Sequence, residues 1–217
     1  MGGQMPKTLL ALAGTPILLR TLRAFEATSA IREIVAVVAA DCIEPVRALL
    51  GAAGSWSLPV KLMPGGAERQ DSVAAGLEVL AADFDLVAVH DGARPFVQPI
   101  HIRAVIDAAA VSGAALLAVP SRDTAKLVDG NGIVTSTPPR DTVWLAQTPQ
   151  VFRLSLLREA HEQARHDGVV ATDDAALVER LGHPVRVVHG DAANVKITTP
   201  DDLRWAEWYL QSQAALR

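Results

Sequence analysis

Short apolar runs and amphipathic stretches alternate along this chain. Residues 31–39 (IREIVAVVA), 86–90 (LVAVH), 114–120 (AALLAVP) and 185–189 (VRVVH) are brief, aliphatic or β-branched, and bounded by turn residues. Strands covered on both faces by helices read this way. Around them, apolar positions recur at helical spacing over residues 16–27, 43–53, 69–82, 100–112, 154–165, 173–181 and 201–211. Pro16, and Pro200 followed by Asp201 and Asp202, suit helix starts. The alternation predicts an α/β fold with a mostly parallel, doubly wound sheet. Residues 123–147 break the rhythm. Lys126-Leu127-Val128, the turn Asp129-Gly130-Asn131-Gly132 and Ile133-Val134-Thr135 form a hairpin signal. A hairpin inserted into such a domain needs a surface to pack on, and a second copy of the chain is the natural one. The expectation is therefore a single domain over residues 1–217 with a dimerising β-arm at about 123–147.

Composition narrows the class. The chain has 217 residues, half of them apolar, enough for one substantial core. A net charge of −4 implies no broad basic surface, which argues against nucleic acid as a partner. Cys42 is the only cysteine, so neither an internal disulfide nor a cysteine metal cage is available, and a cytoplasmic location is expected. No apolar run reaches the roughly 18 residues of a membrane span, and no membrane partner is expected. The six histidines show no zinc spacing. Neither a Gly-x-Ser-x-Gly elbow nor a Gly-x-Gly-x-x-Gly fingerprint is present, so an esterase triad and a dinucleotide cofactor lack support.

Several segments carry candidate chemistry. Asp91-Gly92-Ala93-Arg94-Pro95 follows the run LVAVH. Ligands of open α/β sheets bind beyond the carboxyl ends of strands, where an aspartate can hold Mg²⁺ and an arginine a phosphate. The bland alternative is a tight turn with a local ion pair. Gly65-Gly66 precedes a helix that opens with Glu68-Arg69-Gln70-Asp71-Ser72. Free backbone N–H groups and a helix N-terminus are offered there, and Ser72 can bond a base or ribose. Arg69 reads more naturally as a solvated helix residue. Lys196 lies inside the apolar run Asn194-Val195-Lys196-Ile197, where its ammonium needs a partner such as a phosphate, unless it simply points outward from an edge strand. Arg122-Asp123-Thr124, Arg140 behind Pro138-Pro139, and Thr148-Pro149-Gln150 cluster around the hairpin. Thr172-Asp173-Asp174 reads most simply as a helix cap.

In order, Pro6-Lys7, GGAERQDSV, HDGARPF, PSRDTAK, PPRDTVWLAQTPQVF, ATDDAALVE and NVKITTPDDL resemble the 2-C-methyl-D-erythritol 4-phosphate cytidylyltransferase family over residues 6 to about 210. The resemblance implies a glycosyltransferase-A-like nucleotidyltransferase fold and a homodimer with exchanged β-arms. It implies a Mg²⁺-dependent reaction of CTP with 2-C-methyl-D-erythritol 4-phosphate in isoprenoid precursor synthesis, giving the CDP-alcohol and pyrophosphate. By resemblance Lys7, Arg140 and Lys196 are catalytic; Gly66, Ser72, Asp91 and Gly92 contact the nucleotide; Asp91 serves the metal. Asp91, Arg94, Thr124, Arg140, Thr148, Thr172 and Lys196 bind the alcohol phosphate, with Thr124, Arg140 and Thr148 donated by the partner's arm. Ala67 stands where many relatives carry an aspartate. The family pattern opens with a strand and a glycine-rich loop ending in an arginine. Met1-Gly2-Gly3 resembles the tail of that loop, which implies an N-terminally shortened chain. Rival readings are a ribitol-5-phosphate cytidylyltransferase, a non-catalytic nucleotide-binding relative, and an oxidoreductase that lacks its fingerprint.

Overall fold

The computed structural model describes residues 6–215. Met1-Gly2-Gly3, and the expectation placed on them, lie outside these residues. Two short strands, β1 (Ala11–Leu12) and β2 (Thr15–Pro16), pair antiparallel across Ala13 and Gly14, both at positive φ. They lead into α1 (Ile17–Glu26). Strand–helix alternation follows as β3 (Ile34–Val38), α2 (Ile43–Ala52), β4 (Val60–Pro64), α3 (Arg69–Glu78), β5 (Leu86–Val89), α4 (Pro99–Ser112) and β6 (Ala114–Pro120). The hairpin is β7 (Leu127–Val128) with β8 (Val134–Ser136). The chain ends through β9 (Trp144–Arg153), α5 (Leu154–Asp167), α6 (Asp174–Arg180), β10 (Arg186–His189) and α7 (Pro200–Ala215). No helix among the described residues is long and apolar enough to cross a membrane.

The main sheet has the order β10-β6-β9-β5. β10 runs parallel to β6, whereas β9 runs antiparallel to both β6 and β5. The α/β layering matches the expectation, but the sheet is mixed around β9, a strand that the apolar pattern does not single out. The cause lies in the arm. The chain leaves the body at Pro120 and returns opposite it at Trp144. With no crossover helix between, the return strand can only run backwards.

Strand β6 shows why this sheet is buried on both sides. Ala114, Leu116 and Ala118 pack with Phe152 against α5 and α6, through Leu157, Ala160, Ala164, Leu177 and Val178. The alternate residues Ala115 and Leu117 pack with Val151 against Val105 and Ala109 of α4. The period of two, with both sets apolar, gives a sheet with helices on each face.

β3 and β4 form a separate parallel pair. Between β3 and β5 lies a cleft of about 380 Å³, floored by Leu22 and Phe25 of α1 and walled by Val35, Val37, Val87 and Val89. Two of the buried polar atoms without a partner, Glu33 Oε1 and His90 Nδ1, belong to residues that line it. The mouth of the cleft, at the carboxyl end of β5, holds Arg69, Ser72, Asp91 and Gly92.

Candidate active site

Asp91 follows β5 directly, and its backbone N–H donates to Thr148 Oγ1 of β9 at 3.0 Å. That bond ties the end of β5 to its antiparallel neighbour. Three cations from three segments surround the carboxylate. Lys196 Nζ lies 3.1 Å from Oδ2, Arg94 Nε 3.4 Å from Oδ2 and Arg69 Nε 3.4 Å from Oδ1. Burial favours the neutral carboxyl, but Lys196, then Arg69 and Arg94, outweigh it and hold the Asp91 pKa below its ordinary value. His90, immediately before it, is pushed down to about 4 by burial against Phe25, so at neutral pH it adds no charge.

Each cation is placed by its backbone. Arg94 Nη1 donates to Asn194 O at 2.7 Å, and Ile197 N–H donates to Ala93 O at 2.9 Å. These bonds lay residues 194–197 alongside the loop after β5. Asn194, almost fully buried, donates from Nδ2 to Gln147 Oε1 and to Thr148 O. In this extended segment Ile197 is buried and Lys196 turns the other way, toward Asp91. Lys196 thus lies in a loop rather than on an outward-facing edge strand. Lys7 Nζ donates to the carbonyl of Thr198, two residues beyond Lys196, so both amines gather on one segment.

The loop before α3 is shaped by close approach. A Cβ on Gly66 would lie 2.3 Å from Asp71 Cβ, and one on Gly65 2.6 Å from Ser72 Oγ. Glu68 and Asp71 cap the helix reciprocally. Gly66 N–H donates to Ser72 Oγ at 3.2 Å, and Ser72 Oγ donates to Glu68 O at 3.1 Å. A nucleotide contact by either residue exchanges one of these local bonds. A Cβ on Gly92 would meet Leu18 at 3.2 Å and Thr8 at 3.7 Å, which places residue 8 beside the mouth.

The structure therefore gathers Asp91, Arg94 and Lys196, with Gly92 adjoining and Lys7 close along the segment. Gly66 and Ser72 sit at the α3 start. Thr148 departs from its expected role. It is only 4% exposed within β9 and bonded to Asp91 of its own chain, so it is part of the body and not a group donated by an arm. Thr124 and Arg140 are exposed on the arm side, and no hydrogen bond joins either to the Asp91 cluster among the described residues. Thr172 is exposed just before α6. The cap reading holds for Asp173, whose side chain accepts from Ala176 N–H at 3.0 Å. The sequence alone does not single out Arg69 and Asp174 as site residues. Their 2.7 Å ion pair ties α3 to α6 beside Asp91. The available signal was the position of Arg69 within the GGAERQDSV segment.

Among the described residues no group of three or more histidine, cysteine or acidic side chains gathers as a metal cage. Magnesium does not need one. It characteristically binds through one or two carboxylates together with substrate phosphates and water. Asp91, at the open end of the sheet, fits that donor chemistry.

A family model described as IspD, 2-C-methyl-D-erythritol 4-phosphate cytidylyltransferase, matches residues 1–212. The chain is 47% identical to the 2-C-methyl-D-erythritol 4-phosphate cytidylyltransferase of Pelotomaculum thermopropionicum, covering 98% of this chain and 90% of that relative. It is 44% identical to the enzyme of the same name from Geobacter metallireducens, over 98% and 93% of the two chains. The crystal structure of 4-diphosphocytidyl-2C-methyl-D-erythritol synthase from Anaerococcus prevotii superposes with a TM-score of 0.87 at 32% identity, over 93% of this chain and 88% of that one. The 2-C-methyl-D-erythritol 4-phosphate cytidylyltransferase from Thermus thermophilus gives 0.78 at 40% identity, over 95% and 94%.

Proposed function

The chain belongs to the 2-C-methyl-D-erythritol 4-phosphate cytidylyltransferase family, and from that premise we propose which of its groups do the work. It is a nucleotidyltransferase of isoprenoid precursor synthesis, joining CTP and 2-C-methyl-D-erythritol 4-phosphate with release of pyrophosphate. The observation that supports the site assignment is the convergence of Lys196, Arg94 and Arg69 on Asp91 at the carboxyl end of β5.

In this reading an oxygen of the alcohol phosphate attacks the α-phosphorus of CTP. A new P–O bond forms, the bond to the β-phosphate bridging oxygen breaks, and the electron pair leaves with pyrophosphate. Both reactants are anions, so catalysis is positioning and charge neutralisation, and no covalent nucleophile is required. Lys196 and Arg94 hold the attacking phosphate. Lys7 releases the Thr198 carbonyl and pairs with the triphosphate. The N–H groups at the start of α3, with Gly66 and Ser72, hold the nucleoside side. Asp91, with the substrate phosphates, would hold Mg²⁺, which would supply neutralisation of the triphosphate charge. Thr172 borders the alcohol.

Arg140 and Thr124 reach the site from the arm of a second copy. Leu127, Val128, Ile133 and Val134 are all exposed on that arm, and a two-stranded ribbon with four exposed aliphatic side chains needs a covering surface. The assembly read here is a homodimer. The lone Cys42 suits the reducing cytoplasm.

Lys196→Ala is expected to lower kcat by about 10²–10³-fold, and Asp91→Asn to impair turnover as well. Pyrophosphate release from CTP with methylerythritol phosphate measures both. Wild-type turnover by either variant would overturn the site assignment. Ribitol 5-phosphate, assayed in parallel, should be the poorer substrate.

A further inference from the structure

A polar chain leads from Asp91 Oδ1, the oxygen not paired with Lys196, into the protein interior. Arg69, at the start of α3, donates from Nε to Asp91 Oδ1 and from Nη1 to Asp174 Oδ2, at 3.4 and 2.7 Å. The other oxygen of Asp174 lies 2.9 Å from His161 Nε2. Asp174 and His161 are 1% and 5% exposed. They sit on α6 and α5, among Leu157, Ala160, Ala164, Leu177 and Val178. Neither residue touches the mouth of the cleft.

We propose that His161, Asp174 and Arg69 form a positioning relay that orients the Asp91 carboxylate for the transfer step. The proposal rests on reading Asp91 as the site carboxylate. Three features support it. First, a carboxylate buried beside an apolar cluster, as Asp174 is, is costly to desolvate and a poor source of stability compared with well-packed apolar side chains, so its contribution is sought in geometry. Second, a guanidinium is a planar fork. With Nη1 fixed on Asp174, the direction of Nε, and with it Asp91 Oδ1, is set. Arg69 is 35% exposed and unfixed would be free to swing toward solvent. Asp174 is fixed in turn by His161, whose Nε2–H donates to Oδ1. Third, the charges divide. Asp174 neutralises Arg69, which sits on Oδ1 of Asp91. Lys196 and Arg94, both on Oδ2, have no second carboxylate partner among the described residues and can turn to phosphates while Arg69 stays on the carboxylate. Arg69 is then a positioning residue and not a phosphate ligand.

The test uses the full chain and separates kcat from KM. His161→Leu removes the donor to Asp174, whereas His161→Gln can restore an N–H donor. Arg69→Lys keeps the charge but loses the two-way fork. Displaced outer-layer groups typically cost about 10–100-fold. His161→Leu and Arg69→Lys are expected to lower kcat in that range, with KM for CTP within about threefold, while His161→Gln stays near wild type. The thermal unfolding midpoint, measured beside each assay, separates loss of fold from loss of alignment. If His161→Leu does not fold, Arg69→Lys, at a partly exposed helix start, decides alone. Wild-type kcat in Arg69→Lys, or a rise in KM at unchanged kcat, overturns the relay. Unimpaired Asp91→Asn would instead overturn the reading of Asp91 on which it stands.

Discussion

Asp202 shows how a single surface carboxylate shapes the site from outside it. Its Oδ2 accepts from the N–H groups of Thr198 and Thr199, both at 2.8 Å, and from Thr198 Oγ1 at 2.9 Å. Asp202 N–H donates in return to Thr199 Oγ1 at 3.2 Å. This reciprocal cap starts α7 and fixes the end of the segment that carries Lys196 and meets Lys7. The backbone bonds to Thr198 and Thr199 lower the Asp202 pKa to about 2. The unfolded chain therefore takes up this proton first as pH falls. The stabilisation is present above about pH 4 and is lost as pH drops toward 2. The side chain is half-buried and its bonds are open to water, so solvent limits the gain, and a cap of this kind contributes about 1 kcal/mol. Asp202→Ala should lower the unfolding free energy by that amount at pH 7 and by almost nothing at pH 2, measured by urea titration at both. A cost that persists at pH 2 would assign the effect to packing.

The elements differ in how completely their hydrogen bonds are used. Ile34 N–H donates to Pro59 O, and Gly65 N–H to Val38 O, so in the parallel ladder Ala36 also faces β4 while Val35 and Val37 face away. On β5, Leu154 N–H donates to Asp85 O, which turns the amides of Val87 and Val89 toward β9 and leaves those of Leu86 and Ala88 on the cleft side. Amides of Val35, Val37, Leu86 and Ala88 should therefore exchange with deuterium well before those of Ala36, Val87 and the β6–β9 ladder, read by residue-resolved exchange. Uniform protection across both sets would show the cleft edges to be paired.

Most of these elements were readable from periodicity. The run over 114–120 matches β6 end to end, and the strand cores at 31–39 and 86–90 are β3 and β5. The hairpin signal is β7–β8. β4 and β9 escaped. β4 carries Lys61 and Pro64 within five residues, and β9 carries two glutamines and a proline, so neither reads as an apolar run. In β9 the polar groups have partners. Gln150 Nε2 donates to Asp173 and its Oε1 accepts from Ala175 N–H, contacts that only the fold creates. The site divides the same way. Asp91, Arg94 and Lys196 were readable because each is a polar break in an apolar or glycine-bearing segment. Arg69 and Asp174 were not, because at helix starts charged residues need no special explanation.

At the scale of the whole molecule, Asp91 belongs to the body and Arg140 to the arm side. The residues near Arg140 contain two prolines, Pro138 and Pro139, and a single 3₁₀ turn over Arg140–Thr142. Such a stretch fixes the direction of a side chain without burying it. If arms are exchanged in a two-fold dimer, each site takes Asp91 from one copy and Arg140 from the other. Asp91→Asn and Arg140→Ala dimers would then each be impaired at both sites. Mixed and re-equilibrated in equal amounts, the two variants should form heterodimers in about half the population. One of the two sites in each heterodimer is intact and the other doubly altered, so about a quarter of wild-type turnover should return. Lys replacing Leu127 and Ile133 on the arm should abolish that recovery together with the dimer, followed by light scattering. Recovery that stays at the level of the separate variants, with heterodimers present, would place Arg140 in its own chain's site or in none.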